Sequence, residues 1–232
     1  MPKKENNYSR APELQLLAEQ NRHLYDSLSG VLLITTVLAS LLVVSHWQLV
    51  PHSILLVWFA VFGAITAART LLLRAYRHES NRPEASEKWY ARYRLFTLLS
   101  ALVWGSSAWV FFTESESGSL ALLAFVVAGL GAGGVVNVAA RWQCAWIFLL
   151  PALLPFALRF GSLDRPLAHT TALLIVIFIA ALMFMSKKIS AKITEHIRAQ
   201  LDQTEKARAS NRRQQHYQSL VESTTAIIWE GD

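Results

Sequence analysis

A single cysteine, Cys144, in 232 residues excludes an intramolecular disulfide framework, and without a second thiolate it also excludes a cysteine-built zinc or iron–sulfur site. Charge is scarce as well: 16% of the residues are charged, against 53% hydrophobic and eight Trp. Soluble domains carry roughly 25% charged residues, so the balance points to the bilayer as solvent. The net charge of +6 does not imply nucleic acid, because the basic residues flank apolar runs instead of lining one amphipathic face. The N-terminal segment mixes Lys3, Lys4, Arg10 and Arg22 with Glu13, Glu19 and Asp26. It lacks a short apolar core ending in a small-residue cleavage site, so no signal peptide is read there.

What the sequence does hold is six predominantly apolar runs, at 28–50, 54–73, 95–112, 120–140, 144–160 and 167–185. Each is near the ~20 residues that cross ~30 Å of hydrocarbon as helix. None alternates in the way a transmembrane strand requires. The expected fold class is therefore an all-α integral membrane protein, a six-transmembrane helix bundle with a long cytoplasmic signalling helix.

Orientation follows from the loops. Arg74, Arg77, Arg82, Lys88, Arg92 and Arg94 crowd the second loop, whereas the third offers only Glu114 and Glu116. By the positive-inside rule the second loop is cytoplasmic, which places both termini inside together with Lys187, Lys188 and Lys192. Arg159 and Arg165 run against this assignment, and Arg141 with it. Arg69 lies about one and a half turns before Arg74. It either snorkels to the cytoplasmic headgroups or is a buried counter-ion for a ligand.

After Met185 the composition turns polar, with Ile189, Ile193, Ile197 and Leu201 spaced at four, an imperfect heptad. This predicts a signalling helix over 187–215 that continues out of the sixth span and pairs two copies of the chain; a solvated single helix held by ion pairs is the alternative. From His216 the residues read as a short amphipathic helix, a turn and a β-rich stretch.

That last stretch resembles the opening of a PAS domain, with "YQSLVES" as its helix and "AIIWEGD" as its first strand. A strand left alone has unpaired backbone groups, so a longer protein is expected. The membrane part resembles the multi-helix N-terminal sensor modules of bacterial diguanylate cyclases and hybrid histidine kinases. The likeness rests on "RYRLFTLLSALVWGSSAWVFF", "AFVVAGLGAGGVVNVAA" and "FLLPALLPFALRF", and on Trp104, Gly105, Gly129, Pro151 and Pro155 within them. It implies a cytoplasmic segment at 1–27, a sensor domain at 28–186, the signalling helix, and the start of a PAS domain at 216–232, in the bacterial inner membrane. It further implies output by cyclic di-GMP synthesis or degradation, with a PAS-containing histidine kinase as the alternative. No GGDEF, EAL or phosphoacceptor-histidine motif and no catalytic residue set occurs in these 232 residues, so any enzyme activity belongs to an output domain. A small transporter or channel is the reading from another class; it predicts charged residues within spans and an internal repeat.

The remaining motifs divide between packing and binding. Gly129, Gly131 and Gly134 match a dinucleotide fingerprint in letters only, since no strand precedes them and no acidic residue follows before Asp164. Gly129 and Gly133 are instead expected to form a small-residue surface for a neighbouring helix. Pro151 and Pro155 predict a kink in the fifth span, either a hinge or a static bend. Trp104 falls in mid-span and its indole N–H calls for a partner. Trp104, Ser106, Ser107 and Asn137 are therefore candidates to line a pocket for an amphipathic molecule such as a fatty acid or quinone, or else they supply polarity between helices. His46, His52 and His169 lie at the outer ends of spans and are candidate metal or haem ligands, although no metal-type spacing is present. No cofactor is required by the sequence. The expected partners are a second copy of the chain, membrane lipid and a small amphipathic signal molecule.

Overall fold

The computed structural model describes residues 10–79, 85–112, 117–138 and 140–229. Among them are six helices and no strand: α1 (Arg10–Ser45), α2 (His52–Glu79), α3 (Ser86–Val110), α4 (Ser117–Val138), α5 (Trp142–Gly161) and α6 (Pro166–Trp229). The chain forms two compact units, Met1–Ile193 and Thr194–Asp232. Four helical stretches are long and apolar enough to cross a membrane, Glu13–Ser45, His52–Glu79, Trp142–Gly161 and Pro166–Tyr217, and Leu122–Val135 is a shorter apolar helix. The protein is thus an all-helical molecule of membrane type.

Punctuation explains the helix boundaries. Pro51 and Pro166 stand where a missing amide costs nothing: Pro51 offers its carbonyl to Ile54 and Leu55 at the start of α2, and Pro166 is the first residue of α6. Arg141, extended at φ −137° and ψ 106°, turns the chain from α4 into α5.

The first unit is built around the α3–α5 pair, which make the most extensive contact. Gly105 permits it: a Cβ there would overlap the carbonyl oxygen of Pro151 and meet Pro155 Cγ at 3.0 Å. Pro155 has no N–H to give the carbonyl four residues back, which is that of Pro151. The α3 backbone therefore closes over an acceptor that α5 itself leaves unpaired. Both prolines are accommodated within one helix.

Elsewhere the close approaches fall differently from the predicted pattern. Nothing lies within 4 Å of a Cβ built on Gly129 or Gly133, so they form no packing surface. Gly134 does, with Phe148 Cε1 at 2.6 Å, and so does Gly131, with Leu182 and Leu153 methyls at 3.1 and 3.3 Å. The four-residue spacing put two glycines on one face of α4, but the neighbouring side chains cover the face beside it.

Helix α1 begins well before the apolar run. Its first turns, within the segment set apart at 1–27, are helical and partly buried: Leu24 and Tyr25 are core residues, as is Leu28 at the start of the apolar run. Asn21 Nδ2 donates to the Ser86 carbonyl at 2.7 Å, and the Tyr25 hydroxyl donates to the Trp89 carbonyl at 3.0 Å. Tyr25 stacks on Tyr76 at 3.8 Å between ring centres, with Trp89 and Tyr93 edge-on to it. At the opposite end of the unit the His46 ring meets Phe111 at 5.1 Å, and Phe112 meets Phe160 at 5.2 Å.

Helix α6 is continuous through the change of composition at Met185. Ile189 and Ile193, predicted for a seam between two chains, pack against the protein's own core, and Ser186 and Ser190 beside them are buried. Ile197 is buried and Leu201 partly so. The backbone stays helical through Trp229, across the "AIIW" predicted as a strand. A lone strand has no ladder partner, whereas a helix satisfies its own backbone.

Candidate functional site

The functional candidate is a cavity of about 100 Å³ enclosed by α1 to α5. Helical spacing supplies its walls. Tyr93, Thr97, Ser100 and Trp104 follow one face of α3, while Gly129, Gly133 and Asn137 follow one face of α4. Val31, Thr35 and Leu38 close the α1 side, Phe148 comes from α5, and α2 contributes a single residue, Arg69.

Arg69 is the only ionised side chain of the lining. It is 8% exposed and directed inward, so it does not snorkel. Its Nη1 donates to Ser100 Oγ at 3.0 Å. Among the described residues no carboxylate forms an ion pair with it; the ion pairs there are Arg22 with Glu19 and Asp26, and Lys206 with Asp202. A guanidinium stays charged under all ordinary conditions and carries five donors, most of which this one has not spent. Thr97, one turn of α3 from Ser100, is 1% exposed, and its hydroxyl has no hydrogen-bond partner. Buried polar groups are normally paired, so two under-satisfied groups facing one cavity are informative.

The opposite end of the cavity is apolar and open. Gly129 and Gly133 are exposed with free space at their Cβ positions, and Ile34 across from them on α1 is 58% exposed. Asn137 at the α4 end is held in place, its Nδ2 donating to the Gly133 carbonyl at 2.7 Å. Its own carbonyl accepts from Ser27 Oγ at 3.2 Å.

Of the predicted pocket residues, Trp104 and Asn137 therefore line this cavity and the two serines do not. Ser107 is fully buried and donates to the Trp104 carbonyl. Ser106 donates to the Val103 carbonyl and accepts from Trp58 Nε1 at 3.1 Å, and it lines a shallow groove between α2 and α3. The serine partner expected for Trp104 thus serves Trp58, whose ring meets Trp104 edge-on at 5.8 Å. Gly129 and Gly133 belong to the cavity instead of a helix interface. For Arg69 the sequence left two roles open, a snorkelling side chain or a buried counter-ion for a ligand, and its burial fits the second; Thr97 and Ser100 were missed. Their signal was the polar positions at four and seven residues from Tyr93 within an apolar run.

The three histidines do not converge. His46 is buried, with Nδ1 2.9 Å from the Leu42 carbonyl, which places a proton on that nitrogen. His52 stacks on Trp47 at 4.3 Å, and His169 is exposed. Among the described residues no group of three His, Cys, Asp or Glu lies close enough to hold a metal.

Below the cavity, basic side chains lie on aromatic rings. Arg141 sits 3.7 Å over Tyr90 and its Nε donates to Gln20 at 3.2 Å, Arg92 lies over Trp89, and Lys187 lies over Trp142 and Trp146. The Tyr90 ring thus serves as a face for the cation. No family model, curated protein or solved structure matches the chain.

Proposed function

We propose that the chain is the membrane input module of a bacterial signalling protein, a six-span bundle that passes a signal along α6 to cytoplasmic PAS and output domains. The observation that carries this reading is the continuity of α6. One helix runs from the apolar stretch, through residues packed on the bundle core, into an exposed polar stretch ending beyond Tyr217. A helix that leaves a bundle is a route for rotation or translation, and repacking around Leu182, Ser186 and Ile189 would act on its bundle-packed part.

The six-span reading is supported by lengths. Tyr25 to His46 of α1 and Trp89 to Phe111 of α3 make contact at both ends, and at 1.5 Å per residue each covers roughly 32 Å. Helix α3 thus matches, end for end, a helix that is itself long and apolar enough to span. Outward-facing Leu95, Leu98, Leu102 and Trp109 on α3, with Leu122 and Phe125 on α4, continue the apolar surface of the other helices. The basic–aromatic pairs at the Tyr90 end favour that end as cytoplasmic.

A dimer is part of the proposal, and because Ile189 and Ile193 are engaged within the bundle, its seam begins near Leu201. Cysteines placed singly from 198 to 212 in native membranes test it. Cross-linking should peak at Leu201, Thr204 and Arg208 and fall between them; no dimer at any position would refute signalling through a paired helix. The output on this reading is cyclic di-GMP turnover.

A further inference from the structure

We infer that the cavity at Arg69 binds the carboxylate of a single-chain lipid acid, whose acyl chain leaves between α1 and α4 past Ile34, Gly129 and Gly133. The assignment rests on the membrane setting of the proposed function but not on signalling, and it narrows the ligand by charge, shape and route.

Charge comes first. One buried cation without a counter-ion among the described residues leaves the cavity one negative charge short. A carboxylate supplies one charge and accepts two parallel bonds from a guanidinium fork. The Thr97 hydroxyl, buried and unpaired, is free to donate to a further carboxylate lone pair. Ser100 already accepts from Nη1 and fixes the guanidinium. A neutral quinone would leave the cation uncompensated, and a phosphodiester headgroup brings further polar groups that an otherwise largely apolar lining does not pair.

The route is the second argument. An isolated polar hole would need no opening toward lipid, yet the two α4 positions beside this one carry no side chain and have nothing within 4 Å. With exposed Ile34 opposite, they leave a gap on the apolar face of the first unit. A chain entering from the bilayer stays in contact with apolar surface while its head reaches Arg69, so the carboxylate crosses no dry barrier unpaired.

The test uses the full chain, delipidated in detergent and then incubated with oleate, oleyl alcohol or phosphatidylglycerol, with retention read by native mass spectrometry. One oleate per chain should be retained, with oleyl alcohol at least about tenfold weaker, since a charge-assisted pair is lost. Arg69→Gln should weaken oleate about tenfold or more, and Arg69→Lys should weaken it less. Gly133→Leu, which leaves Arg69 untouched and fills open space at an exposed site, should also abolish retention by closing the gap. Equal retention of oleate and oleyl alcohol by the unaltered chain would overturn the proposal, as would preference for phosphatidylglycerol, or unchanged oleate binding in folded Gly133→Leu. Cross-linking along α6 is read separately, so oleate binding without a paired α6 would remove the signalling reading and leave the lipid site.

Discussion

Two glycines on neighbouring helices make opposite demands. At Gly105 a methyl group has nowhere to go, because the obstacle is the backbone of α5 at Pro151 and not the end of a flexible side chain. Gly105→Ala should therefore force α3 and α5 apart and cost about 2 kcal/mol or more, as overpacking of rigid contacts does. The measurement is the thermal midpoint of the detergent-solubilised chain, which should fall clearly below that of the unaltered protein. Gly133→Ala is the control from the same fold: with nothing within 4 Å, it should be neutral, or raise the midpoint slightly by the ~1 kcal/mol helix preference of Ala over Gly. Equal losses at the two sites would contradict the packing described. The contrast shows what the sequence conceals at this scale. Gly129 and Gly133 have the spacing of a contact surface, yet spacing reports which residues share a face and not whether another helix covers it. Gly131, two residues from each of them, and Gly134, next to Gly133, are the covered positions.

At the scale of elements, the six apolar runs each became the body of a helix, even with Pro151 and Pro155 inside the fifth, because ~20 apolar residues have few other ways to satisfy their backbone. Less legible were the ends. Gln20 and Asn21, within the N-terminal segment, drew no reading from the sequence, yet both are buried, paired with Arg141 and the Ser86 carbonyl. Those partners are 121 and 65 residues away, so no local pattern announces them. A similar limit explains Ile189 and Ile193, whose spacing of four fits either a partner chain or the protein's own bundle. The inner turns of α1 depend on the Tyr25 ring, wedged among Tyr76, Trp89 and Tyr93. Tyr25→Ala should cost about 3 kcal/mol in lost ring packing and the hydrogen bond to Trp89. The loss should be local. Limited trypsin digestion at exposed Arg22 is the check: cleavage there should accelerate in the variant. Unchanged cleavage would mean that the aromatic cluster does not hold the helix.

For the molecule as a whole, the number of crossings is the quantity on which orientation and signalling both depend, and the termini alone do not reveal it. If only α1, α2, α5 and α6 crossed, an even count would still return both ends of the chain to one side, and α3 with α4 would form a hairpin dipping into the cytoplasmic face. Six crossings place the α3–α4 connection outside instead. The discriminating position is therefore Glu114, between α3 and α4. Cys144 is buried at the start of α5, so a cysteine introduced at 114 is the reactive one. A membrane-impermeant maleimide added to intact cells should label Glu114→Cys and leave Arg77→Cys untouched until the cells are opened. The physical basis is the match of α3 to α1 at both ends: a hairpin confined to one face would not carry Phe111 to His46 while Trp89 stays at Tyr25. The same result bears on Arg159, which lies over the Phe112 ring at 4.7 Å. On the outer side it would run against the positive-inside bias, with its charge lying on an aromatic face at the end of α3. Label appearing at 114 only after lysis would reduce the bundle to four crossings and overturn the six-span proposal; external labelling is the outcome expected from the contact of Arg159 with Phe112.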